Sequence, residues 1–144
     1  MLFCLAVKNY YTPPLISQSI LGVLIHNQSF AKSTTFLNQD LKKKIRAVKL
    51  YTSSWDPAIA TYTGYDGYYA TIRLHPKIIS ENLVKELQNK QIFVADNRSS
   101  FYHPAHFDNS LCVSLAKIST QQIHEVYPIL YQTILSLFEN YTDA

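Results

Sequence analysis

Apolar side chains recur three and four positions apart at both ends of this chain, and every second position between them. Near the start, Leu15, Ile16, Ile20, Leu21, Leu24 and Ile25 fall at helical spacing and predict a short helix over about 15–26. Pro13-Pro14 ends whatever Met1–Tyr11 begins, since proline removes an amide donor and restricts the residue before it. A second stripe of Phe36, Leu37, Leu41, Ile45, Val48 and Tyr51 predicts a helix over about 35–51, with lysines mostly on its other face. Residues 52–67, rich in Thr, Ser, Asp, Gly and Pro, read as irregular.

The period then changes. In "GYYATIRLHP", residues 67–76, Tyr68, Ala70, Ile72 and Leu74 alternate with Tyr69, Thr71, Arg73 and His75 until Pro76 closes a half-buried strand. Ser80 is placed to cap a following helix whose buried stripe is Leu83, Val84 and Leu87. "QIFVA", 91–95, predicts a short strand. "SLCVSLA", 110–116, predicts another, with Leu111, Val113 and Leu115 on one face and Cys112 and Ser114 on the other. Ser119 and Gln122 form a capping box. A last helix follows, its stripe made of Ile123, Val126, Tyr127, Leu130, Ile134, Leu137, Phe138 and Tyr141. Pro128 lies inside this pattern and should kink the helix or split it.

The order from Tyr68 onward is strand, helix, strand, strand, helix, behind two helices. That order predicts an α+β fold: a small, mainly antiparallel sheet with helices packed on one face, preceded by two N-terminal helices. One domain over 1–144 is expected, with 1–66 as a helical lead-in to the sheet-bearing part, 67–144. A sheet covered on one face leaves the other free to meet something.

Composition agrees with a globular chain, 47% hydrophobic and 16% charged, with 11 tyrosines and 3 glycines. The apolar runs Met1–Val7 and Ile20–Ile25 are too short to span a bilayer, and "MLFCLAVK" lacks the charge and cleavage pattern of a signal peptide. Cys4 and Cys112 lie far apart with no CxxC spacing, which favours reduced thiols and a cytoplasmic protein. Charge is uneven. Within 31–50, Lys32, Lys42, Lys43, Lys44, Arg46 and Lys49 stand against Asp40 alone, although the whole chain carries only +3. No aromatic or glycine pattern accompanies these lysines, so they read as a solvated helix face or a docking face, and nucleic acid is not expected as a partner.

Candidate chemistry concentrates in "FYHPAHFDNSLCVSLAKI", 101–118, which holds His103, His106, Asp108 and Cys112. Zinc accepts such ligands, but the spacing matches no short zinc motif, and Pro104 and Phe107 suit an apolar loop folded over the domain. Cys112 as a nucleophile would need His75, His103 or His106 close by, and no glycine turn or helix N-terminus activates it. Gly64 and Gly67 in "GYDG" form no phosphate loop. The residues by themselves therefore give no metal site and no catalytic constellation.

The run from Gly67 to Leu135 resembles the C-terminal small domain of pyridoxal-phosphate-dependent aminotransferases of class I/II, fold type I, including the GntR/MocR-type regulators that borrow that fold. The matching features are Gly67 and its strand, helix 80–90, "IFVADN", the Phe101-Tyr102 pair, "NSLCVSLA" and the closing helix 119–141. Upstream, Lys8, Gln18 and Leu21 fit the long helix leaving a large domain and the helix after it, and 35–51 fits the next one. The resemblance implies a large domain, carrying the Schiff-base lysine and phosphate-binding residues, that would precede residue 1. No matched position is a cofactor ligand, so this chain has no cofactor of its own and no catalytic residue, while the complete family protein uses pyridoxal phosphate. The family arginine that forks onto a substrate carboxylate falls at Cys112, which cannot make that contact. Arg98, just before the Phe-Tyr pair, is a substitute from the loop. "VADN" replaces the usual proline-glycine turn, and Pro128 interrupts the last helix.

The expectation is thus a fragment or truncated relative of an aminotransferase or MocR-type regulator, inactive alone, whose partner is the missing large domain or a second copy. The alternative is a stand-alone interaction or oligomerisation module without cofactor.

Overall fold

The computed structural model describes residues 14–100 and 109–140. The chain divides after Gln39 into two compact units. In the first, α1 (Leu15–His26) starts at Pro14, and the Asn27 carboxamide oxygen accepts the Ser29 N–H at 3.0 Å where α2 (Ser29–Thr52) begins. Gln28 between them holds a left-handed φ of 60°. The helix predicted over 35–51 therefore starts six residues earlier, at Ser29. No residue of α1 is buried, and Leu15, Ile16, Ile20, Leu21, Val23, Leu24 and Ile25 are all exposed.

The second unit carries the sheet and, with β1 (Ala60–Thr63), β2 (Tyr69–Leu74), β3 (Ala95–Asp96) and β4 (Ser110–Ser114), confirms the α+β class. The strands are antiparallel in the order β1-β2-β4-β3. Residues facing each other across an antiparallel pair share a face. One face is accordingly Ala60, Tyr62, Ala70, Ile72, Leu74, Leu111 and Val113, and every one of these is buried. They pack with Leu83 and Leu87 of α3 (Ser80–Asn89), with Ile123, Leu130 and Ile134 of α4 (Thr120–Asn140), and with Val48 from the second half of α2. Removing each of these leucine, isoleucine and valine side chains from water contributes roughly 1.5–3 kcal/mol before chain entropy opposes it.

Local expectations need correction at several points. Residues 52–67 are not wholly irregular: the edge strand β1 lies within them, because Ala60 and Tyr62 alternate with Thr61 and Thr63 and find β2 across a turn. That turn needs Gly64, which sits at φ 97°, where an added Cβ would come within 3.0 Å of Ala70 Cα. The strand expected over 91–95 shrinks to Ala95–Asp96, since Ile92 N–H is taken by Leu87 O at 2.8 Å as the helix α3 unwinds. Ser80 is the first helical residue and not the cap, which is Ile79; its hydroxyl instead donates to Asp96 Oδ2 at 2.8 Å. The capping box at the start of α4, by contrast, forms in full, with Ser119 N–H on Gln122 Oε1 at 2.9 Å and Gln122 N–H on Ser119 Oγ at 3.1 Å.

Pro128 does not split α4, which runs unbroken from Thr120 to Asn140. A proline here deprives the carbonyl four residues back, that of His124, of its helical donor. The Tyr51 hydroxyl, from α2, lies 3.4 Å from that oxygen and 2.9 Å from His124 Nδ1, with the two rings edge to face. Nearby, Trp55 stacks on Tyr131 with centroids 4.9 Å apart, and the Tyr131 hydroxyl accepts the Asp56 N–H at 2.8 Å.

The basic run is also not uniformly solvated. Lys42, Lys43, Arg46 and Lys49 are exposed, but Lys44 is buried. Its ammonium donates to Leu115 O at 3.1 Å and pairs with Asp40 at 2.8 Å, tying α2 to the end of β4. A buried charge needs such partners.

Replacing Tyr51 by Phe should cost about 1 kcal/mol in urea unfolding. The cost should shrink in a Pro128→Ala background, where an amide returns to His124 O. A double-mutant cycle reading about 0.5 kcal/mol or more of coupling checks the assignment.

Candidate functional site

The face of the sheet turned away from the helices is where a partner or ligand can meet this unit. Alternation and register place Thr61, Thr63, Tyr69, Thr71, Arg73, Ala95, Ser110, Cys112 and Ser114 there. Cys112 stands at the centre, with Thr71 across one ladder and Ala95 across the other. It is half-buried and its thiol is free. The sequence reading put Cys112 and Ser114 on this face and Leu111, Val113 and Leu115 towards the helices, and the burial of the three aliphatics agrees. Asn97 Nδ2 donates to Ser110 Oγ at 3.1 Å at the edge of this face.

Arg98 has a different position. It lies in the 3₁₀ turn Asn97–Ser100 that follows β3. Its Nε donates to Asp96 Oδ2 at 2.9 Å, an Nη pairs with the same oxygen at 2.8 Å, and the other carboxylate in reach is Glu81 of α3. Asp96 lies opposite Leu111, a helix-facing residue, whereas Ala95 lies opposite Cys112. The guanidinium is therefore engaged on the α3 side of β3, and Cys112 belongs to the other face. The two residues named from sequence are not brought together by these contacts. What sequence reasoning missed is this Ser80–Asp96–Arg98–Glu81 network. Its signal was Asp96 two residues before Arg98, the spacing of a side chain that accepts a backbone N–H, here at 2.8 Å.

Burial alone would raise the Asp96 carboxyl. Hydrogen bonds from the Arg98 side chain and backbone and from Ser80 outweigh it, together with the Arg98 charge, and hold the group below its ordinary range. Among the described residues no three metal-ligating side chains gather. His103, His106 and Asp108 lie outside the described residues, as do Cys4 and the Phe101-Tyr102 pair. No helix among the described residues is long and apolar enough to cross a membrane.

The strand positions of this face carry hydroxyls, one thiol and one guanidinium, and no lysine, with Ser110 itself buried. A cofactor bound through a Schiff base needs an amine, so this donor set does not fit pyridoxal phosphate by itself.

A depressed carboxyl pKa stabilises the fold above the unfolded value and loses that contribution as pH falls through the folded one. Asp96→Asn should therefore be less stable than the natural chain at pH 7. The gap should narrow below about pH 4 and close on further acidification, as chemical denaturation at several pH values would show.

No family model matches the sequence, and neither does any curated protein. Solved structures do match. A multiple substrate aminotransferase from Thermococcus profundus superposes with a TM-score of 0.72 at 14% identity, over 81% of this chain and 29% of its own. LysN, an α-aminoadipate aminotransferase from Thermus thermophilus seen with N-(5'-phosphopyridoxyl)-L-leucine, gives 0.72 at 17% identity, over 93% of this chain and 34% of its own. MppP, soaked with the product 2-ketoarginine, gives 0.63 at 12% identity, over 75% and 30%. At such identities the likeness is one of fold, and this chain, spanning about a third of theirs, has the fold of part of a pyridoxal-phosphate-dependent aminotransferase of fold type I.

Proposed function

We propose that this chain is the small-domain portion of an aminotransferase-like protein, a fragment or truncated relative of an enzyme or of a MocR-type transcriptional regulator, and that it does not catalyse alone. The observation that carries the reading is the superposition of 81% of the chain on only 29% of an aminotransferase. The sheet supports it. One face is packed under helices, and the other presents Thr71, Arg73 and Cys112 in the manner of a wall that closes a site built elsewhere. In this reading the cofactor and its lysine belong to the large domain. Cys112 takes the place of the arginine that would anchor a substrate carboxylate, so a ligand of the assembled protein lacks that charged contact. Arg98 serves to fasten β3 to α3, its charge already matched by Asp96 and Glu81. A cytoplasmic location and a large domain as partner, supplied in the same or another polypeptide, go with this proposal.

The test is retention of cofactor. Mixed with pyridoxal phosphate and dialysed, the chain should keep no stoichiometric Schiff-base absorbance and should show no transamination. A stable, stoichiometric band would overturn the reading.

One observation favours a second reading, a stand-alone interaction module. Between Pro14 and Ala31 there is no Asp, Glu, Lys or Arg, and the aliphatic side chains of α1 are exposed all round. A self-associating module would sediment as a defined oligomer that Leu21→Lys or Leu24→Lys converts to monomer. A monomer at all concentrations removes this reading.

A further inference from the structure

The proline inside α4 leaves a proton to be placed. Pro128 takes the helical donor from the His124 carbonyl, and the Tyr51 hydroxyl lies 3.4 Å from that oxygen. The same hydroxyl lies 2.9 Å from Nδ1 of the same histidine. The Tyr51 ring packs against the buried core, so its hydroxyl is positioned from α2 and not by the imidazole. One phenolic proton therefore faces two acceptors: the carbonyl oxygen, and Nδ1 whenever that nitrogen carries a lone pair.

The two ways of placing the proton do not make the same number of bonds. With the hydroxyl donating to Nδ1, the carbonyl receives nothing from Tyr51. With the imidazole proton on Nδ1, that N–H donates to the hydroxyl oxygen, and the hydroxyl proton goes on to the carbonyl. The second arrangement gains one bond from the same three groups, a bias of roughly fivefold for a bond of ordinary net strength. Bonds arranged in series also polarise one another in the same direction. His75 is the opposite case. The Lys77 N–H donates to His75 Nδ1 at 3.1 Å, so in neutral His75 the ring proton sits on Nε2.

We infer that Pro128, acting through Tyr51, holds neutral His124 as its Nδ1–H tautomer. The relay runs from Nδ1–H to the Tyr51 oxygen and from the Tyr51 O–H to the His124 carbonyl, and it ties α2 to α4 at the residue that the proline disturbs. Its chemical product is a lone pair on Nε2 of an exposed histidine, an acceptor for an N–H or O–H donor that meets α4 there. Tyr51 and Pro128 are positioning residues for that nitrogen.

The experiment is a long-range ¹H–¹⁵N correlation spectrum of the imidazole rings in the full chain, recorded at about pH 8, where histidine is neutral. The pattern lost in His124→Gln identifies His124. It should be that of an Nδ1–H ring, while His75 in the same spectrum gives that of an Nε2–H ring. Tyr51→Phe removes the hydroxyl and should move the His124 population roughly fivefold towards Nε2–H. Pro128→Ala should do the same with Tyr51 still in place, because an amide returns to the carbonyl and the hydroxyl proton turns to Nδ1. This second variant introduces the better helix former, so it reads the relay even where loss of the tyrosine disturbs folding. His75 should be unchanged in both. An Nε2–H majority for His124 in the natural chain, or a tautomer indifferent to Pro128→Ala, would overturn the inference. A parallel change at His75 would do so too, since it would trace the effect to the fold as a whole.

Discussion

The register of β4 on β2 is the constraint from which the rest of the sheet-bearing unit follows. Ile72 lies opposite Leu111, and both are wholly buried. A slip of one residue would turn Leu111 to the open face and Cys112 into the helices, because side chains alternate along a strand. Two hydrogen bonds at the ends of the ladder hold the register, Leu74 to Asn109 and Leu115 to Tyr68. Asn109 adds a side-chain tie to the carbonyls of His75 and Ile78, which fixes the chain leaving β2 to the chain entering β4. With that pairing set, the thiol, the threonines and Arg73 share one surface without further instruction.

Much of this was written in period. The strand at 67–76, the helix stripe of Leu83 and Leu87, and the alternation of "SLCVSLA" carry strong signals, since one face of each is packed and the other is not. The missed strand, Ala60–Thr63, has small and polar residues on its exposed side and sits at the sheet edge, where little packing shapes the sequence. Pro128 misled for another reason. Its cost falls on a carbonyl, and the group that meets that carbonyl, Tyr51, is 73 residues away in sequence. Lys44 is similar: nothing in "KKK" distinguishes the one ammonium that reaches Leu115 O.

The face that carries Cys112 was legible by alternation. Alternation puts Cys112 on the open face, and the structure agrees. The partnership of Arg98 was not legible, because it depends on Asp96 turning towards α3 while Ala95, one residue earlier, turns the other way. A single step of the pleat thus decides which face a neighbouring side chain joins.

The apolar first helix has a consequence for how such a chain comes to exist. Its aliphatic side chains carry no neighbouring charge to keep them dispersed, so the interval between synthesis and covering is a hazard. In a chain that self-associates through Leu15–His26, that contact has to form early. Order of assembly, and not affinity alone, then becomes a property encoded in this sequence.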